Sequence, residues 1–429
     1  MTRKILISIV LASLLATAAS AQETYFGKNK VRYRDFDWSY IQTRHFDIYF
    51  YEDAYSLAKF SAEVLESAYK EVTDELNYNL QNRVPVFLYN SHNEMQQTNI
   101  IPNLLSEGIG GFTEPFKNRV AVPFNGSYED LRHVLHHELT HAVVHNMLFG
   151  NNLSSLISRQ RLFDVPAWFA EGYAEYSSRH GWDYNSDMFM RDATINNYLV
   201  PPEYLQYNYF AYRQGQAMVK YIADKYGEDK LHKILQKGKI LLTMSKALES
   251  VLGIKEKDFW EDFSKEMKRR YWPSIATLKE ADEIGKQLTK AREDGSYFNE
   301  KPVYAPDGDK IAIFTDRSDY TEIVLISPHD GKTIKRLVRS ERSGDLESLH
   351  AYVSGISFSP DGANMVFVAK SKGKESLFFV RVSDGNIYLK RRFDFQNIVK
   401  VSLWNYQQMA LIQRRDIHEC QCRIIFKNL

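Results

Sequence analysis

Leu135-His136-His137-Glu138-Leu139-Thr140-His141-Ala142 is the stretch whose reading decides the fold. It contains H-E-x-x-H, with a glutamate directly after the first histidine of the pair. Positions four apart lie on one face of an α-helix, so His137 and His141 can point their imidazoles at one ion. Glu138 then sits beside that ion rather than on it, where a general base for an ion-activated water belongs. Leu131, Val134, Leu135, Leu139, Ala142 and Val143 give the helix an apolar stripe, as expected for one buried in a domain. Asn125-Gly126-Ser127 is the turn before it, Ser127 or Asp130 its cap, and Gly150-Asn151-Asn152 its end.

Upstream of this helix the pattern is that of strands. Phe46 to Phe50 reads as a strand, a helix follows over roughly Ala54 to Leu80, and Val84 to Tyr89 is a second strand. Gly108-Ile109-Gly110-Gly111 breaks the pattern, and Arg119 to Phe124 returns to strand. Pro123 suits a strand end or a sheet edge better than a central strand. A strand there could hold an extended peptide by backbone pairing. Downstream, Tyr209 to Tyr271 is mostly helical: 217–225, 229–237, 244–252 and 258–271, punctuated by Gly227, Gly238 and Gly253 and closed by Trp272-Pro273. Strands followed by many helices indicate an α+β domain whose second half is helical.

The chain has 429 residues and is 44% hydrophobic, enough for at least two domains. Its formal net charge of +1 gives no support for nucleic acid or an anionic membrane as the main partner. Arg3 and Lys4, the apolar run from Ile5 to Ala16, and Ala19-Ser20-Ala21 form the three parts of a secretory signal peptide. The apolar run is short for a membrane span. The expected mature chain starts near Gln22, is exported and lacks a transmembrane segment. Cys420 and Cys422 are the only cysteines, so no disulfide framework is expected, and two thiols in a tail are read as incidental.

Beyond about residue 285 the composition changes. Tyr304-Ala305-Pro306-Asp307-Gly308, leading into Ile311 to Phe314, has a near copy in Phe358-Ser359-Pro360-Asp361-Gly362, leading into Met365 to Val368. Asp330-Gly331 and Asp384-Gly385 follow at the same offset, with the strand-like segments Glu322 to Ile326 and Leu377 to Val382 between. Turns in matching register mark an internal repeat of β-hairpins. From about Lys301 to Phe393 the repeat resembles blades of the TolB-like β-propeller. A propeller closes with about 4–8 blades. Two are clear here, and Val401 to Ile412 would be a third without the Pro-Asp-Gly turn. The chain is therefore expected to be a truncated form, with an unpatterned tail from Arg414 to Leu429, or to complete its sheet with another chain.

A catalytic zinc takes three protein ligands and keeps one position for water. In metzincins a glycine and a third histidine complete the set. Val144 and Met147 stand at those positions here, which excludes that class. His145 drifts around the helix axis, away from the ion, and is read as supporting or surface. His133 and His136 are read as ordinary helix residues. The stretch Asp164-Val165-Pro166-Ala167-Trp168-Phe169-Ala170-Glu171-Gly172-Tyr173-Ala174-Glu175-Tyr176 resembles the glutamate helix of the gluzincins, the thermolysin and aminopeptidase-N type. The resemblance covers roughly Phe46 to Trp272, as the peptidase MA-like domain of exported bacterial proteins.

That resemblance implies an exported zinc metallopeptidase holding one Zn(2+) with His137, His141 and Glu171, Glu138 acting as base. Glu175, one turn on, is implied to accept the other ring N–H of His137 or His141. Tyr209 and Tyr212 are candidates for the hydrogen-bond donor to the transition-state oxyanion. The G-x-M-E-N stretch of the aminopeptidases survives only as Gly111-Phe112-Thr113-Glu114-Pro115, so endopeptidase activity is the default. The same resemblance implies a thermolysin-like fold, with a mixed sheet ahead of the helical half. The expected organisation is a signal peptide (1–21), a metallopeptidase domain (22–285) and an all-β partial propeller (286–429). The exported chain is expected to be periplasmic or secreted, in a bacterial cell envelope. The competing expectation is a non-catalytic binding protein of the cell envelope whose β repeats engage an envelope partner and whose zinc is structural.

Overall fold

The computed structural model describes residues 30–428 apart from 31, 34, 53, 103–104, 107, 115–116, 151–164, 207, 280, 292, 341–344, 350, 352–354, 393–396, 406–407 and 415–422. From 397 onward, only the side chains of Ile398, Val401 and Ser402 are described. The signal-peptide pattern and the two cysteines lie outside the described residues.

The first half is built on a mixed sheet of β1 (Trp38–Gln42), β2 (Phe46–Tyr51), β3 (Val84–Tyr89), β4 (Phe112–Glu114) and β5 (Arg119–Pro123), in the order β1-β2-β3-β5-β4. Strands β2, β3 and β5 run parallel, and the two outer strands are antiparallel to their neighbours. Alternation explains the two faces. Phe46, Ile48, Val84, Val86, Leu88, Val120 and Val122 point into the main core. That core is covered by α1 (Tyr55–Leu76) and α3 (Tyr128–Phe149). On the other face, Tyr51, Tyr89 and Ala121 join Phe36, Trp38 and Phe87, in a smaller cluster that includes Met95 of the short α2 (His92–Met95).

The strand carrying Pro123 is not at the edge. β5 lies between β3 and β4, and Pro123 ends it opposite Tyr89, where a missing N–H costs the ladder nothing further. The edge on that side of the sheet belongs to β4, which the glycine-broken stretch before it conceals in the sequence.

The helical half follows as α4 (Ala167–Ser178), α5 (Tyr184–Ile195), α6 (Tyr209–Tyr226), α7 (Asp229–Leu241), α8 (Met244–Leu252), α9 (Glu256–Ile275) and α10 (Ala281–Ile284). Sequence pattern alone misses α5, which buries only Ser186, Met190, Ala193 and Thr194. It also starts α6 two turns late. Asn208 caps that helix by accepting from Ala211 N at 3.2 Å. Trp272-Pro273 does not close α9, which runs on to Ile275. The proline removes one hydrogen bond to the carbonyl of Arg269, an exposed residue, where water can replace it. No helix among the described residues is long and apolar enough to cross a membrane.

The last third consists of antiparallel sheets. β6 (Asn299–Tyr304), β7 (Ile311–Thr315), β8 (Glu322–Ile326) and β9 (Thr333–Arg339) form one meander. The second sheet holds β10 (Ser348–Leu349), β11 (Ile356–Phe358), β12 (Asn364–Ser371), β13 (Lys374–Arg381) and β14 (Ile387–Arg392). The repeated turns occupy equivalent corners of the two sheets, and Gly308, Gly331, Gly362 and Gly385 all take φ between 70° and 78°. A third sheet joins β15 (Asn397–Asn405), β16 (Gln408–Arg414) and β17 (Arg423–Asn428). The tail read as unpatterned therefore contains a strand, β17. The chain is thus α+β in its first part and all-antiparallel in its last.

His92 opens α2 where the Lys370 ammonium of β12 faces it, and burial together with that charge lowers its pKa. The folded value lies below the unfolded one of about 6.5, so the contribution of His92 to stability is full above that pH and is lost as pH falls. His92→Asn is expected to flatten the decline of unfolding free energy between about pH 6.5 and pH 5. Denaturant melts across that range check it; parallel slopes in the two proteins would refute it.

Candidate metal centre

α3 begins where Ser127 accepts from Asp130 N at 3.1 Å, with Glu129 and Asp130 complementing the helix dipole in the first turn. Its buried stripe sets the rotation that turns His137 and His141 toward α4. The position of α4 is set in turn by a backbone contact with α6. A Cβ on Gly172 would lie 2.2 Å from the carbonyl carbon of Gly215, and one on Gly215 would lie 2.2 Å from the carbonyl oxygen of Trp168. Only two glycines permit that crossing, which carries Glu171 and Tyr212 to the same cleft.

Three side-chain donors converge there. His137 Nε2 and His141 Nε2 are 3.1 Å apart, and Glu171 Oε2 is 3.3 Å from the first and 3.1 Å from the second. Two ring nitrogens that close to each other and to one carboxylate oxygen are accommodated by a shared N–H proton or by a metal ion between them. Ligand atoms held about 2.0–2.1 Å from a tetrahedral zinc lie about 3.3–3.4 Å from one another, close to the observed triangle. The donor set therefore fits a single metal ion. His137, His141 and Glu171 form one of two groups among the described residues whose donor atoms lie within 4.8 Å of one another. The other is His133, His137 and Glu175.

The electrostatics favour a bound cation. Burial opposes ionisation of Glu171, but His141 and His137 outweigh it and hold the carboxyl well below the usual range. Burial also opposes protonation of His137, yet hydrogen bonds to Glu171 and Glu175 push it up to about 10. Glu138 is raised, chiefly by burial, against the opposing pull of His137, His141 and a hydrogen bond from Thr113. The Thr113 hydroxyl lies 2.7 Å from Glu138 Oε2 and 2.9 Å from the Glu138 carbonyl oxygen, and so ties the glutamate to the edge strand β4.

These groups face a cleft of ≈ 280 Å³, bounded by Gly111, Phe112 and Thr113 on the β4 side and by His137, Glu138, His141, Glu171 and Tyr212 on the other. The two candidate tyrosines separate clearly. Tyr212 lines the cleft, its ring stacked 5.9 Å from that of His137. Burial, then the charges of Glu171 and Glu138, raise its hydroxyl well above the ordinary tyrosine value, so it stays protonated. Tyr209 is exposed, and its hydroxyl accepts from Arg213 Nε at 3.0 Å.

Glu175 Oε1 lies 3.2 Å from His137 Nδ1. His133 Nε2 lies 3.2 Å from the same oxygen. His136 Nε2 lies 3.0 Å from Ser177 Oγ, joining α3 to α4. His145 does not leave the site. It lines the cleft beside His141, at 6.1 Å between ring centroids, and burial lowers it to about 3. Pattern alone gives no role to Thr113, His133 or Arg213. The run His133, His137, His141, His145 at intervals of four was the available signal for the histidine.

Residues 66–268 match the family model of the Peptidase MA superfamily, which points to a metallopeptidase. No curated protein matches the chain. Among solved structures the chain is similar to TolB from Acinetobacter baumannii, with 19% identity, 31% of this chain and 32% of that one covered, and a TM-score of 0.21. It is also similar to the β-propeller domain of Cps50 (Swd1) from Myceliophteria thermophila, with 16% identity, 34% and 41% covered, and a TM-score of 0.23. In both cases the match spans less than half of the other chain.

Gly172→Ala is expected to destabilise the protein by roughly 1–3 kcal/mol, because the new methyl meets backbone that cannot rotate away. Denaturant unfolding of the variant measures this; a loss within experimental error would show that the two helices can separate freely.

Proposed function

We propose that this chain is an exported zinc metallopeptidase that hydrolyses peptide bonds, holding one zinc ion with His137, His141 and Glu171 and using Glu138 as general base. The observation that carries the proposal is the convergence of three donor atoms beside Glu138 in an open cleft. Three donors with a cleft alongside suit a catalytic centre better than a structural one, which closes with four protein ligands. Export rests on the n-region, apolar run and Ala19-Ser20-Ala21 pattern of the N-terminus. The proposed units are the signal peptide (1–21), the peptidase domain (22–285) and the β repeats (286–429), the last available to an envelope partner.

When bound, the ion supplies Lewis acidity that polarises the substrate carbonyl and brings the pKa of water down to about 7. Glu138 takes the proton from the attacking water and passes it to the leaving amine. Its raised pKa suits both halves of that transfer. Thr113 occupies Oε2, leaving the other carboxylate oxygen for the water. Tyr212, kept protonated by burial and by neighbouring carboxylates, donates a hydrogen bond to the oxygen on which charge develops.

Endopeptidase activity is supported at Glu114. That carboxylate accepts from Arg119 Nε and from Lys117 N, both at 3.0 Å, instead of lining the cleft to meet a free amino terminus.

Glu138→Gln is expected to lower peptide hydrolysis by about 10²–10⁴-fold while leaving one zinc per chain. A peptide-library digest with elemental analysis tests both halves, and a purified wild-type protein without stoichiometric zinc would end the proposal. Thr113→Val should lower kcat by roughly tenfold or more with KM little changed, the cost of a hydrogen bond to a charged group. Thr113→Ser should restore the rate; equal rates in all three proteins would remove Thr113 from the machinery.

A further inference from the structure

The second donor cluster, His133, His137 and Glu175, shares His137 with the first but reaches it through the other ring nitrogen. A metal ion in each would strip both protons from one imidazole. Cations already stand beside the second cluster: Arg213 Nη1 is 3.0 Å and Arg179 Nε 3.6 Å from Glu175 Oε2. The cluster is therefore built as an ion-paired hub around Glu175.

We propose that Arg213, with His133, is a positioning residue that fixes the imidazole of His137 for metal binding by holding the carboxylate of Glu175. This rests on His137 being a metal ligand, as proposed above. The two oxygens of Glu175 are divided between partners. Oε1 meets the ring nitrogens of His137 and His133, each at 3.2 Å, and Oε2 meets the guanidinium. Arg213 is itself held from three sides. Its Nε donates to Tyr209 OH at 3.0 Å, its Nη1 donates to Ser186 Oγ at 3.1 Å, and Asp183 Oδ2 lies 3.6 Å away. Asp183 in turn caps α5 by accepting from Ser186 N at 2.7 Å and pairs with Arg179 at 3.0 Å.

Glu175 and Arg213 are only 5% and 9% exposed, so neither can find water as a substitute partner. A buried ion pair of this kind contributes little net stability against an apolar replacement, and orientation is its better-attested use. Here the orientation reaches the metal: with Oε2 anchored, Oε1 is kept beside His137 Nδ1 as well as His133 Nε2, and a proton held on Nδ1 by that carboxylate leaves His137 Nε2 as the lone-pair donor toward His141 and Glu171. His133, one turn before His137 on α3, completes the enclosure of that oxygen and keeps it from turning away.

The test uses the purified full chain, freed of metal and titrated with zinc against a chromogenic chelator. Ligand-field spectra of the cobalt(II)-substituted protein and melting of the metal-free protein accompany it. Arg213→Met is expected to weaken zinc binding by about 10–100-fold and to change the cobalt spectrum. Arg213→Lys, which keeps the charge and a donor, should fall between that variant and wild type. The wild type should bind one zinc. Wild-type affinity and spectrum in both variants overturn the proposal, as does a second tightly bound zinc. So does a loss of affinity no greater than the extra unfolding of the metal-free variant accounts for. If Arg213→Met does not fold, Arg213→Lys decides alone, with unchanged affinity and spectrum counting against it. If the wild type binds no zinc, it is the metallopeptidase assignment that fails, with the ligand role of His137 on which this inference stands.

Discussion

Two carboxylates one helical turn apart, Glu171 and Glu175, are buried on the same helix, and the centre is organised around neutralising them. Isolated anions at such depth would cost far more than a fold of this size can offset. The chain meets the demand differently at each. Glu175 receives a guanidinium and two imidazoles from within the protein. Glu171 receives two imidazoles and no guanidinium among the described residues, and it faces an open cleft. The asymmetry separates a satisfied carboxylate, able to orient its neighbours, from one still able to take a cation from solution.

The division also accounts for the secondary structure around the site. α3 brings histidines on one face, α4 both carboxylates, α5 the capping aspartate that steadies the arginine, and α6 the arginine and the cleft tyrosine. The sheet contributes through its short edge strand, whose Thr113 reaches Glu138. No element supplies the centre alone, so its geometry depends on how helices cross more than on any one helix.

That dependence marks the limit of what was legible in the sequence. His137, Glu138 and His141 stand at spacings set by helical geometry, Glu171 is legible only through the resemblance of its stretch to a known glutamate helix, and strands followed by helices could be read from hydrophobic period. The paired turns at 306–308 and 360–362 announced the β repeats because a left-handed glycine leaves a local mark. Arg213, His133 and Thr113 left none. Their partners lie 38, 42 and 25 residues away, and nothing local distinguishes a buried arginine from an exposed one. Tyr209 and Tyr212 could not be separated by pattern, since only the rotation of α6 decides which faces the cleft. β17 was missed because its strand follows a segment without turn signals, and α5 because its buried face is small and largely polar.

The two glycines at the crossing of α4 and α6 carry a consequence for how this architecture can vary. At each position the added Cβ would meet main chain, the carbonyl carbon of Gly215 in one case and the carbonyl oxygen of Trp168 in the other. No change of side chain opposite can relieve such a clash, so the pair cannot drift by compensation. Each glycine is held independently, and they should not covary among related sequences even though they touch. For recognising this centre elsewhere, an E-G dipeptide with a second glycine 43 residues on, in helical frame with a tyrosine three positions before it, is a more demanding signature than H-E-x-x-H alone.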